Sequence, residues 1–399
     1  MVMSALAGKV VRRLKHIAVW MRDVKVRWLA PDSFEVVIFY ATTAEYLMPL
    51  CGGAKTLVLD VESRNTLQLS WGLLKDFIGL LLHGHRPQIA YFSALLRRLA
   101  PAIVVTYIDN SELFYEVARV NHRRMRFLAI QNGSRIDVVE KSPKEAQRIF
   151  IPEFACFGEY ERDLYFAKGA TVGHFIPTGS LRESYFRQYW QKKSVPMPAG
   201  GYDYDMCIVA EASPGWNQRY PGSEDAIGHI AKYAVRLARE KDLKLVIAGK
   251  RDVSPGQVRA HIHQRDTEVE WYKKYAGNHP VSPRVRDQFS TYELTARSRL
   301  SLALMSTVLR EASSRGGRVL HCNFSGDSRW DFCVDGIWSL KEDSYEAFAE
   351  RVMALLALSD EAWREKSAKM AAYVMNNDDS NPTYVALQKI IADAVAASA

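Results

Sequence analysis

Long apolar runs are missing from this chain of 399 residues. No stretch of about 18 consecutive apolar residues occurs, so the sequence predicts no membrane-spanning helix. The N-terminus reads Met-Val-Met-Ser-Ala-Leu-Ala-Gly-Lys and lacks the apolar core that follows the charges of a signal peptide. We therefore expect a protein that stays in the cytoplasm.

Cysteine is scarce, and its spacing argues against a disulfide framework. The chain has five cysteines, an odd number, and no C-x-x-C pair. Four of them lie in or beside apolar, strand-like runs, which favours buried and reduced thiols in a reducing compartment. The five are Cys51, Cys156, Cys207, Cys322 and Cys333.

Metal-binding patterns are also weak. His261 and His263 have i, i+2 spacing, but no carboxylate–histidine cluster accompanies them, which leaves contact with a substrate as the alternative. Asp203 and Asp205 match a D-x-D pair, yet they precede a predicted strand instead of following it. We expect no metal site and no cofactor other than a bound substrate.

The common nucleotide and nucleic-acid motifs do not occur. Without a Walker A sequence or a G-x-G-x-x-G run, a P-loop kinase and a dinucleotide enzyme are disfavoured. Zinc-finger spacing, a basic region with heptads and a ribonucleoprotein-type aromatic motif are missing too, so we expect no nucleic-acid partner.

Positive charge is in excess, with a net charge of +8. This balance suits anionic partners such as nucleotide sugars, lipid-linked glycans or an anionic membrane surface, although an ordinary solvated surface also fits. The basic stretch Lys9–Arg27, with interleaved Val, Leu, Ile and Trp, suits a peripheral contact with the inner membrane. A plain first helix packed on its domain explains it equally well.

Short β-branched runs alternate with amphipathic stretches along the whole chain, which is typical of βαβ units and parallel sheets. The predicted strands are Glu35–Tyr40, Thr56–Asp60, Ile103–Tyr107, Arg126–Gln131, Phe154–Gly158, Met206–Ala210, Leu243–Ala248, Leu300–Leu304, Arg318–His321 and Phe332–Ile337. The predicted helices are Leu67–Leu82, Ile89–Leu99, Ser111–Asn121, Ser223–Glu240, Tyr345–Leu356, Asp360–Met375 and Tyr384–Ala397.

The rhythm of strands and helices breaks once, where Pro, Gly and charged residues cluster without a period. We place a linker there, at 189–205. It divides the chain into an N-terminal domain at 1–188 and a C-terminal domain at 206–380, followed by a C-terminal helix at 381–399. The predicted fold class is therefore α/β, with two Rossmann-like, doubly wound parallel sheets and a cleft between them.

Such sheets bind ligands beyond the carboxyl ends of their strands, and polar residues gather there in the first domain. Taken singly, each group can be a helix cap or a turn, but together they predict a lined cleft. The candidates for substrate binding are Asp109, Asn110, Gln131, Asn132, Arg135, Ser180 and Arg182. Glu159 and Glu161 follow another strand of the same sheet.

The second domain carries the more informative pattern. Ser306 and Thr307 follow an apolar strand and open a helix, whose N–H groups and dipole can bind a phosphate. Glu311 lies one turn further on, within reach of ribose hydroxyls. Lys250 and Arg251 end the neighbouring strand and add positive charge. We assign these five residues to a nucleotide donor.

The linker, the two Rossmann-like domains and the Ser306-Thr307-x-x-x-Glu311 motif resemble the GT-B glycosyltransferases. The strings Thr106–Ser111, Ile130–Gly133, Phe157–Glu159 and Thr178–Ser180 resemble bacterial surface-carbohydrate biosynthesis proteins, and among these the retaining β-Kdo transferases of lipopolysaccharide and capsule assembly. The resemblance covers about Val36 to Met375.

This resemblance implies a CMP-Kdo donor held by the second domain and a glycan acceptor, such as lipopolysaccharide O-antigen or capsule, held by the first. It also implies a covalent glycosyl–carboxylate intermediate. The family places an Asp at the end of the second domain's first strand, where this chain has Glu211, with Asp225 further on. Our catalytic candidates are Glu211 and Glu159.

Three alternatives remain open from the sequence. The donor can be another CMP-sugar or a UDP-sugar. The protein can be a non-hydrolysing sugar-nucleotide epimerase, which needs no acceptor glycan. It can also be a binding subunit of a polysaccharide assembly complex without activity of its own.

Overall fold

The computed structural model describes residues 25–28, 32–62, 66–193, 201–211, 216–252 and 259–398. Most of the basic stretch predicted to contact a membrane, residues 9–24, lies outside these ranges, as do the side chains of His261 and His263. Among the described residues, no helix combines the length and apolar composition needed to cross a bilayer.

Two six-stranded parallel sheets form the framework, and they confirm the predicted α/β fold class. The first sheet has the strand order β3-β2-β5-β6-β7-β8, and the second has the order β11-β10-β9-β12-β13-β14. Strands β1 and β4 form a separate parallel pair. The strands are β1 Lys25–Trp28, β2 Val36–Ile38, β3 Thr56–Val58, β4 Thr66–Leu69, β5 Ile103–Thr106, β6 Arg126–Ile130, β7 Phe150–Cys156, β8 Thr171–Pro177, β9 Tyr204–Val209, β10 Leu245–Asp252, β11 Val281–Arg284, β12 Ser298–Ala303, β13 Arg318–Cys322 and β14 Ser339–Leu340.

Helices connect most of the successive strands and cover both faces of each sheet. They are α1 Ala44–Leu47, α2 Trp71–Leu82, α3 Pro87–Leu99, α4 Glu112–Asn121, α5 Ile136–Glu140, α6 Pro143–Ala146, α7 Glu159–Lys168, α8 Leu181–Lys193, α9 Trp216–Arg219, α10 Ser223–Lys241, α11 Arg259–Ala276, α12 Ser290–Ala296, α13 Thr307–Ser314, α14 Tyr345–Ala357, α15 Asp360–Val374 and α16 Thr383–Ala396. Short 3-10 turns lie at Ala41–Thr43, Met48–Leu50, Arg286–Gln288 and Ser328–Trp330.

Five of the described strands, β1, β4, β8, β11 and β14, were not predicted, and one predicted strand is wrong. Strand β8 is a partly exposed edge strand with Gly173 and a final proline, and β11 contains Pro283, so neither shows the usual apolar run. The stretch Phe332–Ile337 forms no strand, because the sheet pairing resumes only at Ser339. Residues that were predicted to open α2 instead form β4, and Ser70 caps the helix by accepting from the N–H of Leu73.

The chain returns to the first domain after α15. Asn376 donates from its backbone N to the carbonyl oxygen of Phe157 at 2.6 Å and from its side chain to that of Pro177 at 2.8 Å. Thr383 donates to the carbonyl oxygen of Thr178 at 2.6 Å. Helix α16 then covers one face of the first sheet, where Leu387 and Ile391 join the core. The last helix in the sequence thus belongs to the core of the first domain.

We predict that Gly179→Ala destabilises the protein more than Gly169→Ala. Both glycines have positive φ, +86° and +73°, so both variants carry a similar backbone strain of about 1 kcal/mol. A Cβ at Gly179 would also clash with the carbonyl oxygen of Asn376, whereas nothing lies within 4 Å of one at Gly169. Urea unfolding should show a further loss of about 1–3 kcal/mol for Gly179→Ala. Equal losses would contradict the close packing of the returning segment.

Candidate functional site

A cavity of about 300 Å³ lies between the two domains, beyond the carboxyl ends of the strands. Seven of the predicted site residues line it, namely Asn132, Arg182, Glu211, Lys250, Ser306, Thr307 and Glu311. The other lining residues include Gly133, Ser134, Gly249, Arg284, Thr291, Tyr292 and Met305. We call this space the cleft cavity.

Helix α13 begins at the wall of the cleft cavity. Ser306 is its N-cap, with a side-chain oxygen that accepts from the N–H of Val308 at 3.3 Å. Thr307 reaches the first domain, since its Oγ1 accepts from the backbone N–H of Ser134 at 2.9 Å. The first turn of the helix therefore presents its N–H groups and positive dipole end to the cavity, as an anion site requires.

Three cationic side chains line the same cavity: Arg182, Lys250 and Arg284. Lys250 Nζ donates to the backbone oxygen of Glu211, and Arg284 donates to that of Lys250, both at 3.3 Å. Burial, with the neighbouring Arg251, lowers the pKa of Lys250, and burial, with the neighbouring Arg182, lowers that of Arg284. Because these partly buried cations line one cavity, an anion there would be stabilised by all of them.

Glu211 follows β9 and is only 5% exposed. Its Oε2 accepts from the N–H of Leu304 at 2.6 Å, and its Oε1 accepts from that of Met305 at 3.1 Å. Burial raises the pKa of Glu211 to about 7, although these two backbone donors oppose the shift. The carboxyl group is therefore fixed in position, and it changes its charge near neutral pH.

Glu311 is also buried, with 2% exposure, and it connects the two domains. Ser180 donates to its Oε1 at 2.5 Å, and Tyr292 donates a second hydrogen bond. Burial raises the pKa of Glu311, while these hydrogen bonds and the nearby Arg182 oppose the rise. A ligand hydroxyl at this place would share the carboxylate with Ser180.

Glu159 and Glu161 occupy different environments although both lie in the first turn of α7. Glu159 is 41% exposed, pairs with Arg162 and does not line the cleft cavity. Glu161 is fully buried and accepts from Arg310 at 2.8 Å and 3.0 Å. Gln131 donates to Glu161 at 3.1 Å, so this predicted substrate ligand instead supports the ion pair between the domains.

The remaining candidates, which come from both domains, do not line the cleft cavity. Asp109 and Arg135 form a buried ion pair, in which Arg135 Nε donates to Asp109 Oδ2 at 2.6 Å. Asp109 Oδ1 also accepts from the backbone N–H of Asn132 at 3.2 Å, which holds the turn that lines the cavity. Asn110 is exposed at the start of α4, and Arg251 lies on β10; neither is a lining residue.

A second interdomain cavity of about 200 Å³ adjoins the first and shares Ser134 and Met305 with it. His321, at the end of β13, lines it with 4% exposure and stacks on Phe332 at 3.8 Å between ring centroids. Burial lowers the pKa of His321 to about 3, so the ring is neutral. Its hydrogen bond to the backbone of Leu304 connects it with the peptide that also holds Glu211.

The lining residues that sequence reasoning missed include Arg284, Tyr292 and His321. Arg284 ends β11, a strand that the sequence did not reveal, and Tyr292 lies on the helix after it. His321 was visible as the last residue of a predicted strand, but a lone buried histidine gives no signal without its neighbours. Among the described residues, no cluster of three or more His, Cys, Asp or Glu side chains is placed to hold a metal ion.

No protein-family model and no curated protein matches this chain. Solved structures do resemble it. A candidate UDP-N-acetylglucosamine 2-epimerase from Listeria monocytogenes superimposes with a TM-score of 0.54 at 11% identity, covering 92% of this chain and 96% of that one. The Staphylococcus aureus MnaA–UDP structure gives 0.49 at 12% identity, covering 92% and 95%. The wall teichoic acid polymerase TagF gives 0.46 at 10% identity, covering 100% and 97%.

These identities are too low to show more than a fold. The chain therefore shares the two-domain α/β architecture of GT-B proteins, which confirms the coarse part of the resemblance found in the sequence.

We predict that Glu161→Ala destabilises the protein far more than Glu159→Ala. Removing Glu161 leaves the buried Arg310 without its carboxylate, which should cost about 3–5 kcal/mol. Removing the exposed Glu159 should change the free energy of unfolding by at most about 1 kcal/mol. Urea denaturation of both variants measures the difference. Similar values for the two variants would mean that the ion pair does not hold the domains together.

Proposed function

We propose that this chain is a glycosyltransferase that transfers a sugar from a nucleotide donor to a glycan acceptor. One observation carries the proposal: the N-terminus of α13 and the side chains of Arg182, Lys250 and Arg284 converge on one cavity between two Rossmann-like domains. This combination suits the phosphate of a nucleotide sugar. The predicted binding residues Ser306, Thr307, Glu311 and Lys250 have this role in the proposal.

An aromatic groove beside the cavity supports a nucleotide as the ligand. The groove has a volume of about 470 Å³ and shares Arg182, Arg284, Thr291 and Tyr292 with the cleft cavity. Its other lining residues include Tyr46, Tyr185, Tyr189 and Phe289. With the phosphate at α13 and the ribose at Glu311, the base would extend toward these rings, on which a nucleobase can stack.

For the donor and the acceptor, we propose CMP-Kdo and a lipid-linked surface glycan, as the sequence resemblance implies. Of the two catalytic candidates, Glu211 is favoured because it lines the cleft cavity and Glu159 does not. In the first step, the Glu211 carboxylate bonds to the anomeric carbon as the bond to the nucleotide phosphate breaks. In the second step, the acceptor hydroxyl oxygen bonds to the anomeric carbon and displaces Glu211. The proton of that hydroxyl passes to the released phosphate. The two displacements retain the configuration.

A second candidate function is sugar-nucleotide epimerisation. The structure with the TM-score of 0.54 is that of a candidate UDP-N-acetylglucosamine 2-epimerase, so the fold accommodates this chemistry as well. An epimerase would act on the nucleotide sugar alone, whereas a transferase requires an acceptor. Release of free nucleotide only when a glycan acceptor is present would favour the transferase.

We predict selective thermal stabilisation by CMP in a titration with CMP, CDP, UMP, UDP and GDP. A ligand that binds only the folded state raises its stability by RT ln(1 + [L]/Kd), which is about 2.7 kcal/mol at a hundred times Kd. Lys250→Met should weaken the binding by about tenfold or more, since it removes a charged hydrogen-bond donor. Lys232→Met, on the exposed side of α10, is the matched control and should leave it unchanged.

Stabilisation by UDP alone would contradict the CMP donor and favour a UDP-sugar transferase or an epimerase. Stabilisation by none of the nucleotides would favour a binding subunit without activity. If Lys250→Met and Lys232→Met lost the same affinity for the nucleotide, Lys250 would have no specific role in binding the phosphate.

We predict that Glu211→Gln lowers transfer by a factor of about 10³ or more while donor affinity stays within about threefold. In the unmodified protein, the rate should rise about tenfold from pH 6 to pH 8. The nucleophile must be ionised, and burial has raised the pKa of Glu211 to about 7, so protonation removes activity as the pH falls through that value.

Two controls make this test specific. Glu350→Gln, on the exposed side of α14, should keep full activity, and thermal unfolding must show that Glu211→Gln is folded at the assay temperature. Glu159→Gln tests the other candidate. If Glu159→Gln is inactive and Glu211→Gln is active, the nucleophile is not Glu211.

A further inference from the structure

Helix α2 is apolar on the side that faces solvent as well as on the side that faces the core. Its inner residues Leu73, Phe77 and Leu80 are buried in the first domain. On its outer face, Trp71 is 76% exposed, Ile78 is 45% exposed and Leu82 is 76% exposed. Spacings of seven and eleven residues place these three side chains along one line of the helix. Packing within the domain therefore does not account for the outer face.

A second tryptophan widens this apolar line. Trp28, on β1, is 52% exposed and packs edge-to-face on Trp71 with 4.8 Å between ring centroids. Two indole rings thus lie side by side at the surface, at one end of α2. We call Trp28, Trp71, Ile78 and Leu82 the tryptophan stripe.

Two exposed cations, Lys75 and Arg86, lie beside the tryptophan stripe. Lys75 lies on the exposed side of α2 between Trp71 and Ile78, and residues 71–100 contain four Lys or Arg against a single carboxylate, Asp76. That carboxylate pairs with Arg98 at 2.6 Å, so it does not offset Lys75. At the far end, His83, His85 and Arg86 follow Leu82 in the turn between α2 and α3. Burial and the nearby Arg97 lower the pKa of His85 although Glu116 opposes the shift, so Arg86 is the cation at this end.

We propose that the tryptophan stripe inserts into the interface of an anionic lipid bilayer. Tryptophan prefers the headgroup level of a membrane, large aliphatic side chains extend into the acyl region, and lysine and arginine bind anionic headgroups. The biological role of this membrane binding rests on the proposed function, because the binding would bring the cleft to the surface that holds a lipid-linked acceptor. The binding itself depends only on the stripe and its cations.

A membrane fits the tryptophan stripe better than a protein partner does. Apart from Trp28 at one end, the stripe is one helix wide, and it is about 16 Å long from Trp71 to Leu82, at 1.5 Å per residue. A stable protein interface buries at least about 1,200 Å² and packs with complementary shape at its core. A narrow, convex apolar line with a basic border suits a fluid interface, which needs no matching shape.

The test is cosedimentation of the full chain with vesicles. Vesicles of phosphatidylcholine with 30% phosphatidylglycerol should bind the protein at least tenfold more tightly than vesicles of phosphatidylcholine alone. The double variant Trp71→Ser/Leu82→Ser should lose at least tenfold in affinity for the anionic vesicles. Phe166→Ser is the matched control, since Phe166 is 85% exposed on α7, and it should bind as the unmodified protein does.

Several outcomes would overturn the proposal. The first is unchanged vesicle binding in the double variant, provided that its thermal unfolding shows it to be folded. The second is equal loss in Phe166→Ser, which would mean unspecific adsorption. A third is a dimer in sedimentation that the double variant abolishes, without vesicle binding, which would make the stripe an interface between copies. Nucleotide binding, measured without vesicles, tests the proposed function separately, so either can fail while the other stands.

Discussion

The buried ion pair between Arg310 and Glu161 is the interaction on which the site depends. Arg310 comes from the second domain and Glu161 from the first, and both side chains are at most 3% exposed. Arg310 and Glu311 are neighbours on α13, so the pair that anchors the helix also sets the position of the carboxylate that reaches Ser180. Separating the domains would expose two charges that are compensated only when the domains meet.

Some residues of the cleft therefore have two roles: they stabilise its structure, and they line the cavity in which the proposed reaction takes place. Glu211 fixes the peptides of Leu304 and Met305 at the end of β12, and the same stretch leads directly into the N-cap of α13. Leu304 also bonds to His321, which joins the two cavities. Truncation of Glu211 would therefore remove both a charge from the cavity and the support of the phosphate-facing helix, whereas Glu211→Gln keeps one acceptor oxygen for these peptides. This is why transfer, donor binding and unfolding have to be measured separately.

The periodicity of the chain was sufficient to predict the two sheets, because strands buried by helices on both faces give short apolar runs between amphipathic stretches. It failed where burial is incomplete, as at the edge strand Thr171–Pro177. The motif at Ser306 located a cavity wall, since an N-cap after a strand is a local signal. The partners of Asp109 and Gln131 could not be predicted, because Arg135 and Glu161 are brought to them by packing between distant parts of the chain. Sequence shows which residues are polar, whereas only the fold shows which polar residues are already paired.

The returning C-terminal helix has a consequence for the order in which the protein is made. Leu387, Ile391 and Ala394 cover a face of the first sheet that also contains Val36, Ile38 and Val105. A ribosome delivers those strands before the second domain and α16 after it, so the first domain cannot complete its core while the second is still being synthesised. Until the last residues of α16 leave the exit tunnel, that apolar face stays open to water and to other nascent chains. The two domains should therefore mature together once α16 has been synthesised, and a chain without α16 would leave the first domain unfinished.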